Sequence, residues 1–191
     1  HPAVLKSIVT TEMARAAANK NGVECFETFT GFKFLAEKIK QFETTGSHQY
    51  IFAFEESYGY LCGDYARDKD AVTASMLIAE MAAYYRTQGK TLYDAMEEMY
   101  EKYGYYCEQT ISITMPGVSG LQRMKELMAE LREKPLTKVG ADPIEYTRDY
   151  MPGTRTCMAD GKVEQMELKG QNVMYYELAG GTTFIIRPSG T

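Results

Sequence analysis

The strongest constraint on the fold is an alternation of two patterns along the first part of the chain. Short apolar runs typical of strands are followed by longer segments with apolar residues at helical spacing. The strand-like runs cover residues 4–9, 23–29 and 50–54, and the helical segments cover residues 11–20, 32–42, 70–86 and 91–103. Because strands alternating with helices form parallel βα units, we expect an α/β domain with a mainly parallel sheet over residues 1–104.

From residue 105 onward the pattern changes to one helical segment among several strand-like runs. The helical segment covers residues 117–132, and the strand-like runs cover residues 107–115, 144–150, 163–168, 173–178 and 182–186. The last two runs flank Ala179-Gly180-Gly181, which favours a hairpin. We therefore expect a second, smaller α+β domain over residues 105–191, with an antiparallel sheet and a flanking helix. The boundary between the domains is predicted near Gly104.

Composition and charge exclude several classes of protein. Of the 191 residues, 45% are hydrophobic and 25% are charged, which is typical of a globular protein. The net charge of −5, without a cluster of Lys and Arg, argues against nucleic-acid binding. No apolar run reaches the roughly 18 residues of a membrane helix and no signal peptide is present, so we expect a soluble protein. Four widely spaced cysteines and two histidines predict a reduced, cytoplasmic protein without a zinc site.

The most informative loop is Glu55-Glu56-Ser57, which directly follows the strand-like run 50–54. In an extended chain neighbouring side chains point to opposite faces, so one glutamate can face a cleft while the other turns into the structure. Carboxylates and hydroxyls bind sugar hydroxyls, and open α/β sheets bind ligands at the carboxyl ends of their strands. The alternative is an ordinary strand exit with two solvated carboxylates.

Two loops of the first domain combine possible ligand contacts with simpler explanations. Thr30-Gly31-Phe32-Lys33 lies between a strand and a helix, where Thr30 is also a candidate N-cap. Arg67 and Lys69 precede a helix that begins near Asp70, and positive charge beside a helix N-terminus suits a phosphate. The alternative for this second loop is a solvated run of charges.

The last five residues, Arg187-Pro188-Ser189-Gly190-Thr191, form a candidate phosphate-binding loop. The guanidinium of Arg187 is shaped to grip phosphate through two hydrogen bonds, and the hydroxyls and the glycine amide add further donors. A generic turn is the alternative. The sequence contains none of the short motifs that mark serine hydrolases, zinc proteases, P-loops or dinucleotide-binding folds.

Taken together and in order, these segments resemble the α-D-phosphohexomutase family of phosphoglucomutases and phosphomannomutases. The matching segments are TTEMAR (10–15), ETFTGFKFL (27–35), FAFEESYGYL (52–61), RDKDA (67–71), TLYDAMEEMYEKYGYY (91–106) and RPSGT (187–191). The chain is most similar to the glucose- and pentose-phosphate mutases of this family. Family members have four domains around one cleft. The resemblance implies that residues 1–104 are an incomplete third domain and residues 105–191 a truncated, TBP-like fourth domain.

The resemblance also implies roles for individual residues. Glu55 and Ser57 would bind vicinal sugar hydroxyls, while Glu56 faces away. Further contacts to the sugar would come from Thr30, Gly31, Lys33 and Lys69. The phosphate that is not transferred would be held by Arg187, Ser189, Gly190 and Thr191.

The family's catalytic serine loop, T-A-S-H-N-P, and its magnesium loop, D-G-D-x-D-R, belong to the first two domains and do not occur here. The resemblance therefore implies a substrate-recognition fragment, without catalytic or metal-binding residues and inactive alone. The intact enzyme would interconvert hexose 1-phosphate and hexose 6-phosphate through a phosphoserine and a bisphosphate intermediate. It would need Mg²⁺, a hexose bisphosphate activator and the N-terminal domains of the same polypeptide. The chain lacks an initiating Met and ends within a loop, as expected for a piece of a longer protein.

Three other interpretations remain open at this point. The chain could be a free-standing module that binds phosphosugars without catalysis, or part of a phosphopentomutase. It could also be a scaffolding domain in which FEES and RPSGT are only loops. A truncated fourth domain, lacking its last helix, further predicts exposed apolar surface.

Overall fold

The computed structural model describes residues 1–189 and divides the chain into two compact units, His1–Gln109 and Thr110–Thr191. We call them unit 1 and unit 2 and describe each by itself. The boundary near Gly104 that the sequence predicts falls shortly before this division, inside unit 1. The assignment of the two units to the third and fourth domains of a four-domain enzyme stays a prediction.

Unit 1 contains a four-stranded sheet with the strand order β2-β1-β3-β4. Its elements are β1 (Pro2–Ser7), α1 (Met13–Lys20), β2 (Glu24–Thr28), α2 (Phe32–Thr45), β3 (Gln49–Glu55), β4 (Gly59–Cys62), α3 (Ala71–Thr87) and α4 (Leu92–Tyr103). The first three strands are parallel, and β4 runs antiparallel to β3. The predicted α/β domain with a mainly parallel sheet is confirmed, whereas β4 was not predicted.

Helix α2 supplies half of the residues in the buried core of unit 1. Its apolar residues recur at helical spacing, and they face alternate residues of the sheet because strand side chains alternate in direction. The buried cluster consists of Ala3, Leu5, Phe32, Leu35, Ile39, Phe42, Ala53 and Leu61. Burial of each large apolar side chain contributes about 1.5–3 kcal/mol, so this cluster fixes α2 against the sheet.

Helices α3 and α4 begin within one residue of the predicted helical segments 70–86 and 91–103, each at a capping side chain. The Asp70 carboxylate accepts hydrogen bonds from the backbone amides of Val72 and Thr73, at 3.0 and 3.2 Å. Thr91 and Asp94 form a capping box at the start of α4. No residue of α3 is buried, although the helix is rich in Ala, Met and Tyr. The core of unit 1 therefore depends on α2 rather than on α3.

Unit 2 is an antiparallel sheet with one helix on one face. Its elements are α5 (Gly117–Glu133), β5 (Lys138–Val139), β6 (Asp142–Asp149), β7 (Thr154–Cys157), β8 (Val163–Gln165), β9 (Met174–Leu178) and β10 (Thr183–Ile186). The strand order is β10-β9-β6-β7-β8, and β5 pairs with β6. Met128 and Leu131 of α5 pack on Tyr176 and neighbouring sheet residues. The predicted antiparallel sheet with a flanking helix is confirmed.

One predicted strand is wrong. Residues 107–115 are in neither helix nor strand, and Ile111 and Ile113 are 72% and 74% exposed. Their alternation suits a strand, but a strand also needs a hydrogen-bonded neighbour, and none of residues 1–189 pairs with this segment. The short strands β5 and β7 were not predicted. Strand β7 has a hydrogen-bonded neighbour, but its sequence TRTC shows no alternation of apolar and polar residues.

Among residues 1–189, no helix combines the length and the apolar character needed to span a lipid bilayer.

Candidate functional site

The candidate site lies at the carboxyl edge of the sheet of unit 1. Strands β1, β2 and β3 are parallel and end at Ser7, Thr28 and Glu55. The loops that follow these strands therefore begin along one edge, where open α/β sheets bind ligands. The candidates Thr30, Gly31, Glu55 and Ser57 all belong to this edge.

Glu55 links the end of β3 to the start of α2. Its side chain lies on the same face as Ala53, is only 3% exposed, and accepts a hydrogen bond through Oε1 from the backbone N–H of Gly31. Gly31 is the N-cap of α2, which has no side-chain cap of its own. The Glu55 carboxylate therefore places negative charge at the positive end of the helix dipole and stabilises this helix start.

Two oxygen atoms beside this contact, one of Glu55 and one of Thr30, have no hydrogen-bond partner among residues 1–189. Within the described residues, no donor is bonded to the second carboxylate oxygen of Glu55. The Thr30 hydroxyl oxygen is buried and has no hydrogen-bond partner in the same part of the chain. The alternative that Thr30 is an N-cap is wrong, because α2 is capped at Gly31 without a side-chain bond. A buried hydroxyl without a hydrogen-bond partner is unfavourable, so a ligand hydroxyl that bonded to Thr30 would be stabilising.

Glu56 is the first residue after β3 and contacts the end of β1 and the loop that follows it. Its Oε2 accepts hydrogen bonds from the Ser7 and Thr10 hydroxyls, both at 3.1 Å. Ser7 Oγ and Thr10 Oγ1 are themselves 2.8 Å apart. The adjacent glutamates therefore hold the end of β3 to two different segments, Glu55 to the start of α2 and Glu56 to the end of β1 and the loop after it.

A buried ion network fixes the loop that receives Glu56. Lys6 in β1 is fully buried, and its Nζ donates to the Thr10 carbonyl at 2.9 Å, to Glu12 at 2.7 Å and to Glu27 at 2.9 Å. Arg15 bonds the same two carboxylates at 2.9 Å. The sequence interpretation missed this network, although a lysine in the middle of a buried strand is a signal for one.

The network sets an acid limit to the stability of unit 1. Burial raises the pKa of Glu27, but the charges and hydrogen bonds of Lys6 and Arg15 lower it more, so that the pKa lies below its ordinary 4.5. A carboxylate with a lowered folded-state pKa stabilises the fold above its ordinary pKa, and that stabilisation is lost as the pH falls through the folded value.

We therefore expect the free energy of unfolding of unit 1 to fall as the pH drops below about 4.5. Substitution Glu27→Gln should flatten this dependence, because glutamine does not titrate. Urea unfolding measured between about pH 6 and pH 3 tests the prediction. An equally steep acid loss in the variant would contradict it.

Gly59 allows Lys69 to reach the loops at this edge. An added Cβ on Gly59 would lie 2.5 Å from Cε2 of Phe32 and 2.8 Å from Cε of Lys69. The lysine stem therefore lies across Gly59, and its Nζ is 5.4 Å from the centre of the Phe32 ring. The start of α2, the end of β3 and the segment before α3 thus meet around this glycine.

Substitution Gly59→Ala is expected to lower the free energy of unfolding by about 1–3 kcal/mol, because the new methyl group overpacks a filled space. The φ angle of Gly59 is not positive, so space rather than backbone strain decides the result. Thermal unfolding measures the loss. Combining the change with Phe32→Leu should reduce the penalty, and a Gly59→Ala variant as stable as the parent would contradict the close contact.

The remaining candidates of unit 1 lie at its surface. Ser57 is exposed on the turn after Glu55, and Lys33 is exposed in the first turn of α2 with its Nζ 4.8 Å from the centre of the Phe34 ring. Arg67 bonds both carboxylate oxygens of Glu43, at 2.7 and 2.8 Å, so it is held by α2. The structure thus brings Gly31, Glu55 and Lys69 together and leaves Ser57 and Lys33 beside them.

In unit 2, Arg187 and Ser189 follow β10 and are exposed. Gly190 and Thr191, the other two members of the predicted phosphate loop, lie outside the described residues. Across residues 1–189, no group of three or more His, Cys, Asp or Glu side chains is arranged to hold a metal ion.

Comparisons with known proteins agree on one family. Residues 1–103 match the family model described as phosphoglucomutase/phosphomannomutase, alpha/beta/alpha domain III. The phosphoglucomutases of Staphylococcus aureus strains bovine RF122 / ET3-1 and MRSA252 are each 35% identical to this chain over 193 aligned positions. Each alignment covers the whole of this chain and 34% of the relative, so the chain spans about a third of the length of these relatives.

The fold has a counterpart among solved structures. The open form of the exocytosis-sensitive phosphoprotein pp63/parafusin from Paramecium, named as a phosphoglucomutase, superimposes with a TM-score of 0.58 at 18% identity. The match covers 99% of this chain and 30% of that protein. At this identity the likeness supports the fold alone.

Proposed function

Because the chain belongs to the phosphoglucomutase/phosphomannomutase family, we propose that it is the substrate-recognition part of an enzyme that interconverts hexose 1-phosphate and hexose 6-phosphate. One structural observation carries the proposal. The buried carboxylate of Glu55 is bonded to the Gly31 amide at the carboxyl edge of a parallel sheet, with Lys69 beside it. A fixed carboxylate next to hydroxyl-bearing loops suits the recognition of a sugar.

The residues of unit 1 would bind the sugar hydroxyls. Glu55 has one oxygen bonded to Gly31 and a second without a donor in the described chain, so it can accept from a sugar hydroxyl without giving up its helix contact. The neighbouring groups are the Thr30 hydroxyl, which has no hydrogen-bond partner within residues 1–189, and the exposed Ser57 hydroxyl. A vicinal diol offers the paired donors and acceptors that these side chains need.

The positively charged side chains of the candidate site would have a separate role, because the chain as a whole has a net charge of −5. Lys69 and Lys33 would attract the anionic substrate to the edge of unit 1. In unit 2, Arg187 with Ser189, Gly190 and Thr191 would hold the phosphate that is not transferred, since a guanidinium binds phosphate in a bidentate manner. These residues must accept the ligand in two opposite orientations, because the bisphosphate intermediate has to turn round.

Catalysis itself would belong to other parts of the intact enzyme. There a phosphoserine would give its phosphoryl group to one sugar hydroxyl, and the serine would later recover the other phosphoryl group from the bisphosphate. This chain has no T-A-S-H-N-P or D-G-D-x-D-R segment. We therefore propose that it has no mutase activity alone, that Mg²⁺ and a hexose bisphosphate activator act elsewhere, and that the enzyme is cytoplasmic.

The test is the affinity of the chain for glucose 1-phosphate, measured by titration calorimetry. Substitution Arg187→Ala should weaken binding roughly 10- to 150-fold, because a charge-assisted hydrogen bond contributes about 1.5–3 kcal/mol. Substitution Ser57→Ala should weaken it about 2- to 13-fold, because a hydrogen bond between neutral groups contributes about 0.5–1.5 kcal/mol. Matched controls are Ser75→Ala and Arg123→Ala, whose side chains bond within their own helices. Equal affinity of the site variants and the controls would contradict the proposal and favour a scaffolding domain.

A further inference from the structure

Tyr58 occupies an unfavourable backbone position in the turn beside Glu55 and Ser57. Strands β3 and β4 are joined by the three residues 56–58, and Glu55 pairs with Gly59 across the hairpin. Three-residue hairpin turns commonly end in a left-handed residue, a position that favours glycine. Tyr58 has φ 60°, and among the described residues it is the one non-glycine residue with a positive φ.

The tyrosine ring has no structural role that explains this position. Tyr58 is 88% exposed, the largest value for any large hydrophobic residue in the described chain. A left-handed backbone costs a residue with a Cβ about 1–2 kcal/mol, and no packing of the ring offsets this cost within residues 1–189. Strain of this kind is found where a ligand is bound, which makes Tyr58 a candidate for function.

The turn that carries the ring is fixed on both sides. Glu55 is bonded to Gly31, and Glu56 is bonded to Ser7 and Thr10. Gly59 lies beneath Phe32 and Lys69, so the turn cannot shift in that direction. The surrounding contacts therefore hold Tyr58 in its unfavourable conformation and leave its ring exposed at a defined place.

We propose that Tyr58 is a further ligand-binding residue, whose ring covers the apolar C–H face of the sugar bound by Glu55 and Ser57. A sugar ring has hydroxyls at its edge and C–H groups on its faces, and binding sites combine a few polar groups with an aromatic surface. This proposal rests on the function proposed above, because it assigns one more contact at the same site.

The decisive variant is Tyr58→Gly, which removes the ring and relieves the backbone. It should unfold at the same or a higher temperature than the parent and bind glucose 1-phosphate about tenfold more weakly. Tyr58→Phe keeps the ring and should retain the parent affinity. Tyr58→Asn tolerates the left-handed backbone without the flexibility of glycine, and it should lose affinity as the glycine variant does.

Several outcomes would overturn the proposal. If Tyr58→Gly binds glucose 1-phosphate as tightly as the parent does, the ring has no role in binding. If Tyr58→Phe loses as much affinity as Tyr58→Gly, the effect belongs to the hydroxyl and not to the ring. Retained affinity in Tyr58→Asn would assign it to the rigidity of the turn. If the parent chain does not bind glucose 1-phosphate, the proposed function fails and this contact fails with it. If only Ser57→Ala and Arg187→Ala lose affinity, the function stands and the role of Tyr58 does not.

Discussion

Substitution Lys6→Met is expected to lower the free energy of unfolding of unit 1 by about 3–5 kcal/mol, as found when one partner of a buried ion pair is removed. Lys6 is fully buried and donates to Glu12, Glu27 and the Thr10 carbonyl. Without the Lys6 ammonium group, Arg15 is the one cation within the described residues that still pairs with Glu27, and the Thr10 carbonyl loses a donor. Urea unfolding followed by far-ultraviolet circular dichroism measures the loss.

The control for Lys6→Met is a double variant that removes the charges of both Lys6 and Glu27. Lys6→Met combined with Glu27→Leu should recover part of the lost stability, because an apolar pair of similar volume replaces a buried ion pair at little cost. Arg123→Ala removes an exposed ion pair on α5 and should leave the unfolding transition unchanged. A Lys6→Met variant as stable as the parent would show that the network does not hold the loop after β1.

Substitution Glu55→Ala is expected to weaken the binding of glucose 1-phosphate roughly 10- to 150-fold and to destabilise the start of α2. Both effects have one cause, since the carboxylate supplies the acceptor for the Gly31 amide and the proposed acceptor for the sugar. Titration calorimetry measures the first effect. Hydrogen exchange of the amides in the first turn of α2 measures the second.

Glu55→Gln separates the two roles of this side chain. Its amide oxygen still accepts from Gly31, so the protection of the α2 amides should largely return. Its affinity should remain below that of the parent, because a neutral acceptor bonds a hydroxyl more weakly than a carboxylate does. Full affinity in the alanine variant would exclude Glu55 as a sugar contact, whatever happens to the helix.

The sequence predicted the parts of the fold that depend on local pattern. The alternation of apolar runs with helical segments predicted the parallel strands, and the starts of α3 and α4 near residues 70 and 91 were correctly predicted. Strand β4 was not predicted because it begins only three residues after the end of β3, and its four residues were interpreted as part of the loop after β3. The strand predicted at 107–115 is absent because its alternation says nothing about whether a neighbouring strand is available.

The contacts at the candidate site were predictable only in part. The resemblance to the phosphohexomutase family selected Gly31, Glu55 and Lys69, and the structure brings the loops that carry them together. Their role in binding stays a prediction. The contacts of Glu56 were not predictable, because its hydroxyl partners lie 49 and 46 residues earlier in the chain. The same holds for Lys6 and Glu27, whose pairing depends on the register of β1 with β2.

The most direct test of the proposed sugar site is a nuclear magnetic resonance titration of the ¹⁵N-labelled chain with glucose 1-phosphate, with inorganic phosphate as the control. Our account predicts shifts of the Gly31, Ser57, Gly59 and Lys69 amides that the sugar phosphate produces and phosphate alone does not. Absence of these shifts, or shifts confined to residues outside the loops at the carboxyl edge of the sheet of unit 1, would contradict it.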